Sequence, residues 1–194
     1  LLPGVPETIE ALPEKPPLGL KNKTYQLVCF YYICKVNPTF MHTFLLPFHS
    51  LFRWLLLLML CYSVVNAYRG YVSKSAFSKR DNALRHWTAT VAHIQLVIGF
   101  VLYFKSPVIQ FFFSDMKAAV HHMESLFFGA IHFLLMLSAI VIITIGSALA
   151  KRKETDQQKY KTMLLWFAVA LFIIFVAIPW PFSPFANRAY FKPF

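Results

Sequence analysis

The stretch Ser125–Ala150, SLFFGAIHFLLMLSAIVIITIGSALA, contains no Lys, Arg, Asp or Glu. A helix needs ~20 predominantly apolar residues to cross the hydrocarbon core of a bilayer, and this stretch exceeds that length. Three further apolar stretches, at about 51–67, 87–104 and 162–180, approach it. The expected spans are about 49–68, 84–104, 125–149 and 161–180. The expected fold is therefore all-α: an integral membrane four-helix bundle formed by residues 41–194. Composition agrees, because the 194 residues are 58% hydrophobic and 18% aromatic. A soluble domain of this length could not hide so much apolar surface.

The first forty residues differ from the rest. Leu1–Leu20 is rich in Pro and Glu and reads as disordered. Tyr25–Cys34 is apolar but too short to span, and it lacks the basic start and small-residue cleavage site of a signal peptide. The first Met is Met41. Residues 1–40 are thus expected to be a disordered or extraneous extension, an upstream reading frame, with an interfacial N-terminal arm as the alternative. The cysteines at 29, 34 and 61 make no disulfide framework. Cys61 reads as a packing residue, and Cys29 and Cys34 lack the partner pair that a zinc site needs.

The formal net charge is +11, and its placement carries the information. Arg69, Lys74, Lys79, Arg80 and Arg85 follow the first span, and Lys151, Arg152, Lys153, Lys159 and Lys161 follow the third. The loop between them, Lys105–Glu124, has only Lys105 and Lys117 as basic residues. By the positive-inside rule the two basic loops face the cytoplasm and both termini face outward. Such charge suits topology and anionic lipid; no basic stretch is interleaved with aromatic residues outside the spans, which argues against nucleic acid. Trp54, Trp87, Tyr103 and Trp180 fall near span ends, as interfacial anchors do. Pro179-Trp180-Pro181 should stop the fourth helix.

Within these spans, histidines carry the chemistry. His93 lies deep in the second span and His132 in the third, and ionisable residues inside a membrane mark functional sites by default. Counted from Lys105 and Glu124, the two sit ~18 and ~12 Å deep at 1.5 Å rise per residue, a difference that helix tilts of ~20° absorb. Two imidazoles facing across a bundle are a common way to hold haem. The alternative for each is a buried imidazole bonded to a neighbouring carbonyl or hydroxyl. At the outer face, His49 opens the first span, and His121 and His122 precede the third. His49 and Arg53 share a helical face, which would suit an iron and a propionate; an interfacial His and a snorkelling Arg is the alternative. His121 and His132, three turns apart, also share a face in an unbroken helix, and whether His121 or His122 points inward stays open. His86 reads as a solvated interfacial residue. Gln95 and Glu124 are further polar groups, Glu124 a candidate partner of Arg53. Gly129, Ser138 and Gly146 offer small surfaces for close helix approach. Phosphate-binding, dinucleotide-binding, metalloprotease and nucleophile-elbow motifs are all missing.

The runs His49-Ser-Leu-Phe-Arg-Trp54, Asp81-Asn-Ala-Leu-Arg-His-Trp-Thr-Ala-Thr-Val-Ala-His-Ile-Gln95 and Ile178-Pro-Trp-Pro-Phe182 resemble small bacterial membrane proteins labelled "cytochrome B". The resemblance covers about residues 41–194. It implies a four-helix bundle in the bacterial inner (cytoplasmic) membrane, one or two haem b groups, and His49, His93, His122 and His132 as candidate ligands, with both termini on the periplasmic side. The leading expectation is a b-type haem-binding electron carrier, not a stand-alone enzyme, which passes electrons within the membrane between a quinone pool and a redox partner protein. The alternative is a haem-free accessory subunit or small transporter. A third reading places a metal ion on His49, His121, His122 and Glu124.

Overall fold

The computed structural model describes residues 38–180, with side chains from Phe44 onward. Residues 1–37 and 181–194 lie outside the described residues, and so do the expectations placed on the first of these segments, Cys29 and Cys34 included. Eight elements follow one another: α1 (Pro38–Val72), α2 (Lys79–Lys105), α3 (Pro107–Ser114), α4 (Met116–Ala119), α5 (Met123–Leu126), a π-helical turn (Phe127–Ile131), α6 (His132–Arg152) and α7 (Asp156–Ala177). All are helical. Four segments are long and apolar enough to cross a membrane: Phe44–Val72, Lys79–Lys105, Met123–Arg152 and Asp156–Ala177.

Each spanning helix lies mainly against two others, so that α1, α2, α6 and α7 close into a ring. The outward faces are apolar, with Leu58, Val97, Leu134 and Phe172 all exposed. In water such surface would be a liability; against lipid chains it carries no cost, which is the bilayer contact that the composition implies. Inside the ring Leu60, Ile143, Met163 and Phe167 are fully buried.

Small residues set how closely the helices approach. A Cβ placed on Gly146 would overlap Trp166, and one on Gly70 would overlap the ring of Tyr160, so α6 and α7 on one side, and α1 and α7 on the other, touch through glycine. Without a strong hydrophobic drive between helices in lipid, such close packing supplies much of the association energy.

The helix ends near residues 73–78 and 153–155, called here the hairpin-loop end, are locked by polar contacts. Ser78 and Asp81 form a reciprocal capping box at the start of α2. The Asp81 carboxylate also accepts from Asn66 Nδ2 at 2.6 Å and from Tyr160 Oη at 2.9 Å. One carboxylate thereby ties α1, α2 and α7. Buried Arg85 donates to the Ser147 carbonyl at 2.9 Å, from α2 to the last turns of α6. The negative end of the helix dipole lies close by and favours a cation. Thr155 caps α7 through Gln158 N.

At the opposite, crossover end the segment Lys105–Glu124 is not a plain loop. Pro107 starts α3 at the position where a missing N–H costs nothing, and Ile109 and Phe112 are buried. α7 ends at Ala177, with Ile178 extended (ψ 130°) before Pro179, as the steric rule for residues preceding proline requires.

Asp81→Ala should lower unfolding stability by roughly 2 kcal/mol, the scale for losing hydrogen bonds to a charged group. Denaturant titration of the detergent-solubilised protein measures this, and a change below about 0.5 kcal/mol, typical of an uninvolved surface site, would contradict the lock.

Candidate functional site

In the crossover half of the ring the helices line a partly open cavity of about 200 Å³. α1 contributes His49 and Arg53, α2 contributes Gln95, Gly99 and Tyr103, and α6 contributes His132. Ile109 of α3 and Ile174 of α7 complete its apolar wall. The spacing explains the grouping: 49 and 53 are one turn apart on α1, and 95, 99 and 103 follow each other at one-turn intervals on α2.

Gln95 holds α2 to α1. Its side-chain nitrogen lies 3.1 Å from the His49 carbonyl and 3.3 Å from His49 Nε2. Only 8% of Gln95 is exposed. Its Oε1, and Nδ1 of His49, are buried without a hydrogen-bond partner among the described residues. Native buried polar atoms are rarely left unsatisfied, so each calls for an explanation.

His132 comes from the first turn after the π-helical segment, where its own N–H reaches the Phe127 carbonyl. Single π turns inside α-helices occur often at functional sites. Here the turn leaves the Gly129 carbonyl to accept from Tyr103 Oη at 2.7 Å, and Phe112 covers Gly129 so closely that no Cβ would fit. The His132 ring is fixed by Nδ1 at 2.8 Å from the Ala177 carbonyl.

The other expected site residues lie elsewhere. His93 and Gln95 are two positions apart, so they point to nearly opposite sides of α2. His93 is exposed on the outside of the ring, its Nε2 3.1 Å from Thr144 Oγ1, and it does not line the cavity. The two imidazoles that share the cavity are His49 and His132, not His93 and His132. His122 is exposed at the start of α5, its ring edge-on to Phe111 at 5.9 Å. His121 is exposed in the turn before it. The break at 120–122 and the π turn interrupt the unbroken helix on which His121 and His132 would share a face. Among the described residues no three of His, Cys, Asp and Glu gather to hold a metal ion; the grouping of His49 with His121, His122 and Glu124 is not formed. Exposed Cys61 has no disulfide partner among the described residues. His86 is exposed against Trp87.

Gly99 and Tyr103 were not among the residues that sequence reasoning singled out for chemistry, and Gln95 was ranked low. The available signal was the one-turn repeat 95, 99, 103 on a span facing the turn 49, 53. A Cβ on Gly99 would sit 3.4 Å from His49 Cε1, an ordinary contact.

Could this set hold haem? His132 offers the right orientation: Nδ1–H on a carbonyl leaves Nε2 with its lone pair, as metal-bound histidines do. His49 does not, because Gln95 occupies its Nε2. A cavity near 150 Å³ accepts a single benzene ring, while pockets for drug-sized ligands start near 300 Å³. At about 200 Å³ the space suits one ring with substituents. As arranged, the two imidazoles do not both present a free Nε2 to one iron.

Compared with known proteins, the chain matches no family model, no curated protein and no solved structure. The likeness to the small bacterial membrane proteins rests on the three runs quoted above.

The two glycines should respond in opposite ways. Gly129→Ala, which drives a methyl into Phe112, should destabilise by about 1–3 kcal/mol, whereas Gly99→Ala should stay within about 0.5 kcal/mol of the parent or exceed it. Thermal unfolding in detergent compares them, and an equal loss at both sites would contradict the packing described.

Proposed function

We propose that this chain is a membrane-embedded binding protein for the ring headgroup of a lipid-soluble quinone or quinol, and that it takes part in electron transfer within the membrane through a partner redox protein. One observation carries the reading. Buried polar atoms of His49 and Gln95 stand unsatisfied in the wall of a mainly apolar cavity large enough for a single substituted ring. Ligand pockets are characteristically apolar with a few convergent polar groups that fix orientation. A quinoid ring carries two oxygens, and α1, α2 and α6 each supply a polar side chain to the cavity wall. The isoprenoid tail of such a ligand lies in lipid, where all four spanning helices already are.

The charge rule orients the protein. The segments 73–78 and 153–155 with their flanking Lys and Arg face the cytoplasm, and both termini and the cavity lie toward the outer side. By the resemblance, the membrane is the bacterial inner membrane. The haem-b reading is carried only by the resemblance and by His132, since Gln95 lies against Nε2 of the other imidazole in the cavity. An accessory or transport role remains the alternative.

A short-tailed benzoquinone should quench the tryptophan fluorescence of the purified protein saturably. His49→Leu should weaken its binding about tenfold, the equivalent of ~1.4 kcal/mol and within the range for one lost hydrogen bond. His93→Ala should leave it within about twofold. A dithionite-reduced minus oxidised spectrum taken on the same sample should be flat. A b-type alpha band lost in His132→Ala, with no quinone binding, would overturn the proposal in favour of haem.

A further inference from the structure

We infer that the cavity is selective for redox state and holds the quinol, the dihydroxy form of the ring, more tightly than the quinone. The inference rests on the ring-ligand reading above and deepens it.

The hydrogen-bond roles around the cavity can be worked out one after another. The atom of Gln95 that faces the His49 carbonyl must be nitrogen, because two oxygens there would both be acceptors. Amide nitrogen only donates, so His49 Nε2, 3.3 Å away, accepts from it. The neutral His49 ring then carries its hydrogen on Nδ1. The same orientation of the amide leaves Gln95 Oε1 as an acceptor with no donor among the described residues. At His132 the Ala177 carbonyl can only accept, so Nδ1 bears the hydrogen and Nε2 presents a lone pair. Tyr103 gives its hydroxyl hydrogen to Gly129, which leaves its oxygen as an acceptor as well.

The groups of the cavity are therefore unbalanced. Gln95 Oε1 is an acceptor and His49 Nδ1–H a donor, both buried with no partner among the described residues, and His132 Nε2 and the Tyr103 oxygen have the capacity to accept. Arg53, which lies over the Trp54 ring at 5.6 Å and can only donate, also lines the space. A quinone brings oxygen lone pairs alone; it can use His49 and Arg53 but satisfies none of the acceptors. A quinol brings the same lone pairs and two O–H groups in addition. The donors serve both forms, and only the acceptors discriminate. Sites built to bond a ligand hydroxyl reject the analogue that lacks it, because their buried polar groups are then left unpaired. A tenfold preference for the quinol would raise the midpoint potential of the bound two-electron couple by about 30 mV relative to the free couple.

The test is a pair of anaerobic titrations of the intact purified protein in detergent, with a short-tailed 1,4-benzoquinone and with its hydroquinone, each followed by tryptophan fluorescence. The expected result is a hydroquinone Kd at least about tenfold lower. Gln95→Met, which removes the Oε1 acceptor, should bring the ratio of the two constants toward one, and His93→Ala should leave the ratio unchanged. If Gln95→Met does not fold, the wild-type ratio still decides. Equal affinities, or tighter quinone binding, overturn the selectivity while leaving ring binding intact. No saturable binding of either form overturns the ring-ligand reading itself.

Discussion

A single side-chain amide organises the crossover half of this protein. Gln95 bonds both the carbonyl and the ring of His49, and in doing so it fixes the separation of α1 and α2, the orientation of the His49 ring and the direction of its own oxygen. In lipid there is no water to satisfy a stray amide, so an unmet hydrogen bond here costs more than on a soluble surface. The bond is thus a constraint on geometry as well as a contact. The open edge of His49 beside Gly99 follows from it.

The two ends of the bundle use polarity differently. At the hairpin-loop end, the groups described pair off: Asp81 with Asn66, Ser78 and Tyr160, Arg85 with Ser147 and Asn82, and Ser63 with Thr88 at 2.9 Å. Such networks, when complete, rigidify and specify one packing. At the crossover end the pairing stops short, with His49 Nδ1 and Gln95 Oε1 left over. Completeness at one end makes the shortfall at the other informative, because it shows a chain capable of satisfying its buried polar groups.

The four spanning helices were legible in the sequence because a run such as Ser125–Ala150 has only one low-energy environment, and helix length follows from bilayer thickness. The stop before Pro179 was legible for steric reasons. The site was legible only in part. His49, Arg53 and His132 were named from their types, but pairing His93 with His132 assumed that depth alone decides which side chains meet. Rotation about the helix axis decides as well, and in a span that is apolar on every side no amphipathic pattern reveals it: both faces of α2 look alike except for Gln95 and His93. The π turn at Phe127–Ile131 was hidden for a related reason, since nothing in an apolar run marks where one hydrogen bond lengthens. The short helices within Lys105–Glu124 were read as loop because each is shorter than the periodicity needed to see it.

α1 with α2, and α6 with α7, are each consecutive antiparallel pairs joined by only a few residues, whereas the crossover Lys105–Glu124 joins pair to pair. His49, Arg53, Gln95 and Tyr103 belong to the first pair and His132 to the second. The cavity is therefore an interface between two halves that could each insert in the bilayer separately. Its walls exist only after the halves dock. The crossover then acts chiefly as a tether that raises the effective concentration of one half near the other, and a chain severed there and supplied as two fragments retains all the side chains required to rebuild the same enclosure.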